Sequence, residues 1–310
     1  MLPTIGLTLP LELSIYLFLV ATMFSMGLGL TMREIAAPLR HRWLIGVALF
    51  INLILIPLAG ISVVRMLPMD IGVAAGLLIV ACAPGSTIGP KLAEFSKGDV
   101  SLAISIMFFL SVLAIFTTPV TLTLILPGAI TEQIDFFSVM TTLIILIFLP
   151  MVAGMAINSR CRACADRIRR PVFIFSNLTI VIFGIIFIWV QVTGEVRFID
   201  SFYSVGIAAT AAVFILVAFS MVIGYLLGGP EKHNRQVIAT SSANRNLGVS
   251  LLVGASALAG HGEAFLIIIV YAIVQTLVSG LTAVKWGQKV RREEKRKRRE
   301  RMRNEDVNQD

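Results

Sequence analysis

The chain has 310 residues, of which 57% are hydrophobic and only 14% charged, and its mean hydropathy is +0.89. A water-soluble domain carries roughly 25% charged residues, so this composition cannot clothe a globular surface and excludes a soluble enzyme or binding domain. Half of the formal net charge of +8 sits in the short C-terminal stretch 288–310, so it says little about the body.

The apolar residues come in runs of the length a helix needs to cross about 30 Å of hydrocarbon. Nine follow one another, at about 11–30, 43–64, 70–95, 100–126, 136–158, 172–190, 202–228, 236–259 and 263–286. Backbone groups in lipid must be satisfied internally, so the runs predict helices; barrel strands would be shorter and half polar. Residues 1–10 hold no Lys or Arg, and the first run is too long for a signal-peptide core, so the first span is expected to stay in the mature protein.

Alternating spans place 22 of the 26 Lys and Arg on one side: Arg33, Arg40, Arg42, Lys97, Arg160, Arg162, Arg167, Arg169, Arg170, Lys232, Arg235 and eleven from Lys285 to Arg303. The other side keeps Arg65 and Arg197. The positive-inside rule then predicts an outside N-terminus and a cytoplasmic C-terminus, in a plasma membrane of the bacterial inner-membrane kind. This divides the chain into a transmembrane body, 1–287, and a basic tail, 288–310. The tail abuts the last span, where Lys/Arg clusters fix topology and touch anionic lipid, so nucleic acid is not an expected partner.

Cys161 and Cys164 form a C-x-x-C with no second pair or nearby His to complete a zinc set, and read as a reduced, incidental pair. Cys82 reads as packing. His41, His233 and His261 all fall in expected loops, and no titratable cluster of a catalytic kind lies at membrane depth. Neither an enzyme nor a cofactor is expected.

Two runs are interrupted. The third reads Cys82-Ala-Pro-Gly-Ser-Thr-Ile-Gly-Pro90, and the eighth carries Thr240-Ser-Ser-Ala-Asn-Arg-Asn246 between apolar halves. Irregular backbone at that depth is tolerated only where protein or a water-filled cavity surrounds it, and half-helix N-termini there suit anions. The two lie five spans apart, so they enter the membrane in opposite directions, the mark of an inverted repeat with a site at its interface. The repeats would run about 11–126 and 136–286, two five-helix units with the first helix missing. One basic residue sits in each interrupted run, Lys91 and Arg245. Arg245 lies ten residues from Arg235, too deep to snorkel, and should face a cavity or partner. Lys91 could reach the interface or pair with Glu94 at i,i+3.

Met26-Gly-Leu-Gly-Leu-Thr, Ala83-Pro-Gly-Ser-Thr, Lys97-Gly-Asp-Val, Thr118-Pro119 and Arg245-Asn-Leu-Gly-Val occur in that order. Together they resemble the bile acid:sodium symporter family over nearly all of residues 11–286. The resemblance implies an all-α membrane protein with crossing discontinuous helices between a panel and a core domain, carrying a small organic anion, a carboxylate or a bile-acid-like molecule. It places substrate contacts on Thr87 and Asn246, beside Ser86, and a changed wall at Gln275 and Thr276. The family's sodium ligands fall on Gly89, Pro90, Ala103 and Met107, on Ser241 in place of a glutamate, on Arg245 in place of a glutamine, and on Asn52. Sodium takes hard oxygen ligands, and Gly89, Pro90, Ala103 and Met107 offer no side-chain oxygen.

These observations lead to an expected fixed-cation region of Asn52, Lys91, Ser241, Ser242, Asn244 and Arg245, in which Arg245 replaces mobile sodium. The guanidinium would hydrogen-bond the crossover carbonyls and also hold an anionic substrate as a bidentate fork. The expectation is a secondary transporter with no metal. The alternatives are a sodium- or proton-coupled symporter with altered ion ligands, a channel, and a transporter-like solute sensor.

Overall fold

The computed structural model describes residues 5–31, 42–126, 136–193, 198–257 and 262–307. Among them every regular element is a helix. In chain order these are α1 (Ile5–Leu28), α2 (Arg42–Met66), α3 (Ile71–Ala81), α4 (Gly89–Ser96), α5 (Val100–Ile125), α6 (Phe136–Arg160), α7 (Arg162–Thr193), α8 (Phe198–Leu227), α9 (Lys232–Ala243), α10 (Leu247–Ala257) and α11 (Gly262–Val307). Six described helices are long and apolar enough to cross a membrane: α2, α5, α6, the apolar parts of α7 and α8, and α11. The apolar part of α1, Glu12–Leu28, is shorter. The third and eighth runs do not qualify by length because each is divided, into α3 and α4 and into α9 and α10.

The proline positions explain the local departures from α-helix. Pro57 lacks an N–H and crowds the preceding turn. Residues Ile51–Leu55 relieve this by widening to π-helix, so that the Ile56 N–H bonds the Ile51 carbonyl. The Asn52 carbonyl thereby loses both candidate donors, since Ile56 is diverted and residue 57 is proline. The same device, Ile144–Phe148, precedes Pro150 in α6. Other ends follow ordinary capping. Asp99 accepts from the Leu102 N–H at 3.0 Å to start α5, and Lys97 closes α4 in the left-handed conformation.

The helices pack in two groups. α1 lies along α6 and α7, and the remaining helices gather around α11, which touches α3, α4, α8, α9 and α10. Contact between the groups runs chiefly through α1 against α10 and through α6 against α5. Within the first group α1 and α6 approach through glycine. A Cβ on Gly27 would stand 2.1 Å from the Met151 carbonyl oxygen, and one on Gly154 would stand 2.5 Å from the Phe24 oxygen.

Two sequence expectations change here. Cys161 and Cys164 are joined in a disulfide, because the C-x-x-C spacing at the start of α7 brings the two sulfurs onto one face. His233 lies in the first turn of α9, 2.8 Å from Glu231, rather than in a loop. The basic tail is helical as far as Val307, continuous with α11, and Lys232 of α9 lies 3.6 Å from its Glu293. Arg33, Arg40, Arg197, His41 and His261 lie outside the described residues. The glycine contacts give a first prediction: Gly27→Leu forces α1 and α6 apart and costs about 1–3 kcal/mol, read as a lowered unfolding midpoint of the purified protein.

Candidate functional site: the crossing of two broken helices

The first interruption follows from Pro84 and Gly85. Helix α3 would continue by donating from residues 84 to 87 to the carbonyls of 80 to 83. Pro84 has no N–H, and Gly85 turns the chain out of the helix at φ +90, where a side chain would strike the Ser111 backbone at 2.8 Å. The freed carbonyls need donors, because no bulk water reaches them. Each finds one from elsewhere in the chain. Thr118 Oγ1 donates to the Cys82 oxygen at 2.8 Å, the Asn246 N–H to the Ala83 oxygen at 2.8 Å, and Ser111 Oγ to the Gly85 oxygen at 3.3 Å.

The last orphan, Ala81, is met by Arg245, which also joins the Ala83 N–H on the Val80 oxygen, to which that N–H donates at 3.1 Å. Its Nε donates to the Val80 oxygen at 3.2 Å and its Nη2 to the Ala81 oxygen. The same guanidinium reaches α2, where Nη1 donates to Asn52 Oδ1 at 2.7 Å and Nη2 to the Asn52 carbonyl at 3.3 Å. That carbonyl is the one the π-turn before Pro57 left without a donor. The guanidinium thus sits against the negative end of α3, in a cage of four oxygens. Arg245 is 1% exposed, and among the described residues no Asp or Glu is buried with it.

The second interruption, Asn244–Asn246, has no proline. Its backbone is held open by tertiary partners: the Arg245 N–H donates to Gln275 Oε1 at 2.7 Å, and the Asn246 N–H to Ala83 across the crossing. Asn246 also caps α10, accepting from the Val249 N–H at 3.2 Å, and its Nδ2 donates to the Gly85 oxygen at 3.3 Å. The two breaks are therefore bonded to each other.

Beside the crossing lies a cavity of about 150 Å³. Its crossover wall is Ser86, Thr87, Ile88, Arg245, Asn246, Leu247 and Gly248; Gln275 and Thr276 come from α11, and Phe18, Leu19, Thr22 and Met23 from α1. The N-terminal ends of α4 and α10 both open towards it. The hydroxyls of Ser86 and Thr87 and the N–H groups of Leu247 and Gly248 have no hydrogen-bond partner among the described residues. Unpartnered donors at two helix N-termini make a site for an anion, and the apolar side chains opposite suit a carbon skeleton.

The expected residues divide accordingly. Thr87, Asn246, Ser86, Gln275, Thr276 and Arg245 come together at the cavity. Arg245 takes its place with a different geometry from the expected fork: four of its five N–H groups are spent on Asn52, Val80 and Ala81, so it presents its charge and at most one N–H rather than a bidentate pair. Asn52 and Ser242 lie behind the wall, joined by Asn52 Nδ2 donating to Ser242 Oγ at 3.1 Å. Ser241 and Asn244 are buried there as well, with Ser241 Oγ and Asn244 Oδ1 lacking partners among the described residues. Lys91 is not part of this region. Its ammonium pairs with Glu94 at 2.7 Å, both more than half exposed, and lies over the Phe95 ring, because α4 turns that face outward. The α1 wall was not foreseen from the sequence; Thr22 is one of several hydroxyls in that run, with Ser14, Tyr16 and Ser25, and nothing in its spacing singles it out.

An apolar helical body built around two crossing broken helices, with a half-polar cavity beside them, defines an integral membrane protein. The profile of the Sodium Bile acid symporter family matches residues 16–197, more than half of the chain, and the protein belongs to that family. It is 22% identical over 296 residues to an uncharacterized sodium-dependent transporter of Bacillus subtilis, covering 90% of this chain and 85% of that one. A probable chloroplastic sodium/metabolite cotransporter of Oryza sativa is 27% identical over 146 residues, 47% of this chain and 34% of the rice protein. The ileal sodium/bile acid cotransporter of Cricetulus griseus is 31% identical over 150 residues, 46% of this chain and 42% of its own length. The relatives are transporters, not enzymes.

The carbonyl accounting gives a prediction. Thr118→Val removes the donor to Cys82 without changing shape and should cost about 1–3 kcal/mol. Thr117→Val, whose hydroxyl bonds only the Leu113 carbonyl one turn back at 3.0 Å, should be nearly neutral. Parallel thermal melts of the two variants compare them directly.

Proposed function

We propose that the protein is a secondary transporter carrying a small organic anion through the crossover cavity by alternating access, with the Arg245 guanidinium standing where relatives use a mobile cation. The observation that carries this reading is the buried guanidinium in its cage of four oxygens. A cation at such a site balances the negative helix end of α3, so no soluble ion is required to assemble the crossing. A helix end offsets only about half a unit charge, and among the described residues no carboxylate is buried beside Arg245, so the remaining positive charge favours an anion.

Cavity size narrows the cargo. A space of about 150 Å³ takes a body about the size of benzene, which favours a short monocarboxylate with an apolar tail over a bile-acid-sized molecule. The carboxylate would sit on the Thr87 hydroxyl and the N–H groups of Leu247 and Gly248, and the tail against Phe18, Leu19 and Met23. Movement of the α1–α6–α7 group against the rest, as a panel against a core, would open this cavity alternately to each side. Counting each broken pair as one crossing and α1 as another gives nine spans, with the N-terminus outside and the C-terminus cytoplasmic, and with the two pairs in corresponding places of an inverted repeat.

A sodium-coupled symporter is the second reading, favoured because the relatives are described as sodium-dependent transporters and sodium cotransporters. Uptake of short labelled carboxylates into proteoliposomes, with sodium replaced by choline, separates the two: flux persists if Arg245 is the fixed cation and collapses if sodium is required. Thr87→Val tests the site. Its hydroxyl has no hydrogen-bond partner among the described residues, so stability should stay within about 0.5 kcal/mol. Carboxylate affinity should fall about tenfold, the worth of one hydrogen bond to a charged group, as measured by the concentration dependence of uptake.

A further inference from the structure

The corner between α6 and α7 lies away from the cavity and carries chemistry of its own. Cys161 ends α6 and stands just before the first residue of α7, and Cys164 lies in the first turn of α7. Their Cα atoms are 5.3 Å apart with the sulfurs bonded, and the Cys164 N–H points at Cys161 Sγ at 3.2 Å. Cys164 is exposed and Cys161 partly so. Exposed Arg160, Arg162 and Arg167 flank the pair, with Asp166 the acid beside them. A thiolate on Cys161 would thus meet a backbone donor, the positive end of α7 and neighbouring guanidinium groups, the environment that stabilises a sulfur anion.

We infer that Cys161 and Cys164 form a redox-active dithiol–disulfide site that exchanges with a soluble thiol of the glutathione or protein-dithiol class. The incoming thiolate attacks the more exposed Cys164 Sγ, forms a mixed disulfide there and expels Cys161 as the stabilised thiolate. A second donor thiol attacks the mixed disulfide and frees Cys164. Two electrons and two protons pass to the protein, and the two donor thiols leave as a disulfide. The reverse sequence re-forms the Cys161–Cys164 bond. The site is placed where it can be felt at the cavity wall. Three residues before it Asn158 Nδ2 donates to the Leu30 carbonyl at 2.9 Å, and five residues after it the Arg169 carbonyl accepts from Ser25 Oγ at 3.4 Å. The corner therefore holds the end of α1, the helix that carries Phe18, Thr22 and Met23.

The test uses the full chain in lipid nanodiscs, equilibrated across a series of reduced-to-oxidised glutathione ratios, trapped with N-ethylmaleimide and read by intact mass. Buried Cys82 is the internal control and should not change. The expected result is two labels gained together as the ratio becomes reducing and lost together as it becomes oxidising. Either single variant, Cys161→Ser or Cys164→Ser, should instead carry one glutathione adduct under oxidising conditions. A label count that stays constant across the series overturns the inference, as does a wild-type chain that takes up two independent adducts without closing its own disulfide.

Discussion

A single guanidinium, fully enclosed and facing backbone oxygens, is the interaction on which the rest of the structure depends. Arg245 binds the carbonyls of Val80, Ala81 and Asn52 together with the Asn52 amide oxygen. The Ala81 and Asn52 carbonyls are free for covalent reasons: Pro84 and Gly85 end α3 early, and Pro57 forces a π-turn in α2. Backbone breaks inside a membrane are costly unless every freed group is satisfied. The arginine's planar fork satisfies several at once, from one side chain, where an ammonium would offer a point charge. The position also places a full positive charge against the negative end of a half-helix, the electrostatic role a bound cation would play.

Everything at the cavity follows from that closure. With the α3 carbonyls engaged from behind, the α4 and α10 N-termini are left facing forward, where Thr87, Leu247 and Gly248 line the open space. The same polypeptide breaks thus produce one buried polar cluster, bonded largely within the protein although Asn244 Oδ1 has no partner among the described residues, and one cluster at the cavity. The contrast separates residues that build the crossing from those that can meet a solute. Asn52, Ser242 and Asn244 belong to the first kind, and Thr87 to the second. Asn246 serves both, capping α10 and standing at the cavity edge.

The helices around this centre divide unequally. α11, α3, α8 and α9 pack closely about the crossing, whereas α7 shows much of its apolar surface to the outside, with Phe173, Leu178, Val181 and Ile185 all about half exposed or more. Such a face is at home in hydrocarbon and needs no further partner. The α1 wall is held to α6 and α7 by glycine contacts and by the Asn158 and Ser25 bonds, and meets the crossing mainly through Leu19 against Gly248. A wall tied firmly to one group and lightly to the other is suited to move with the first.

Much of this was legible in the residues alone. Apolar run length determined an all-helical membrane body, because hydrocarbon thickness and helix rise leave one solution. Pro84-Gly85 and the polar run at Asn244–Asn246 marked both breaks, and the depth of Arg245 marked it as a residue in need of partners. What the residues could not say is which partners. Lys91 and Arg245 look alike in sequence, each a cation in an interrupted run, yet one turns outward to Glu94 and the other inward to four oxygens. That choice depends on which face of each half-helix meets its neighbours. The α1 contribution to the cavity, the pairing of Asn52 with residues some 190 positions away, and the spending of the guanidinium on backbone rather than solute were likewise decided by packing. Sequence periodicity reports burial in lipid and burial in protein with the same apolar letters, and only the tertiary arrangement separates the two.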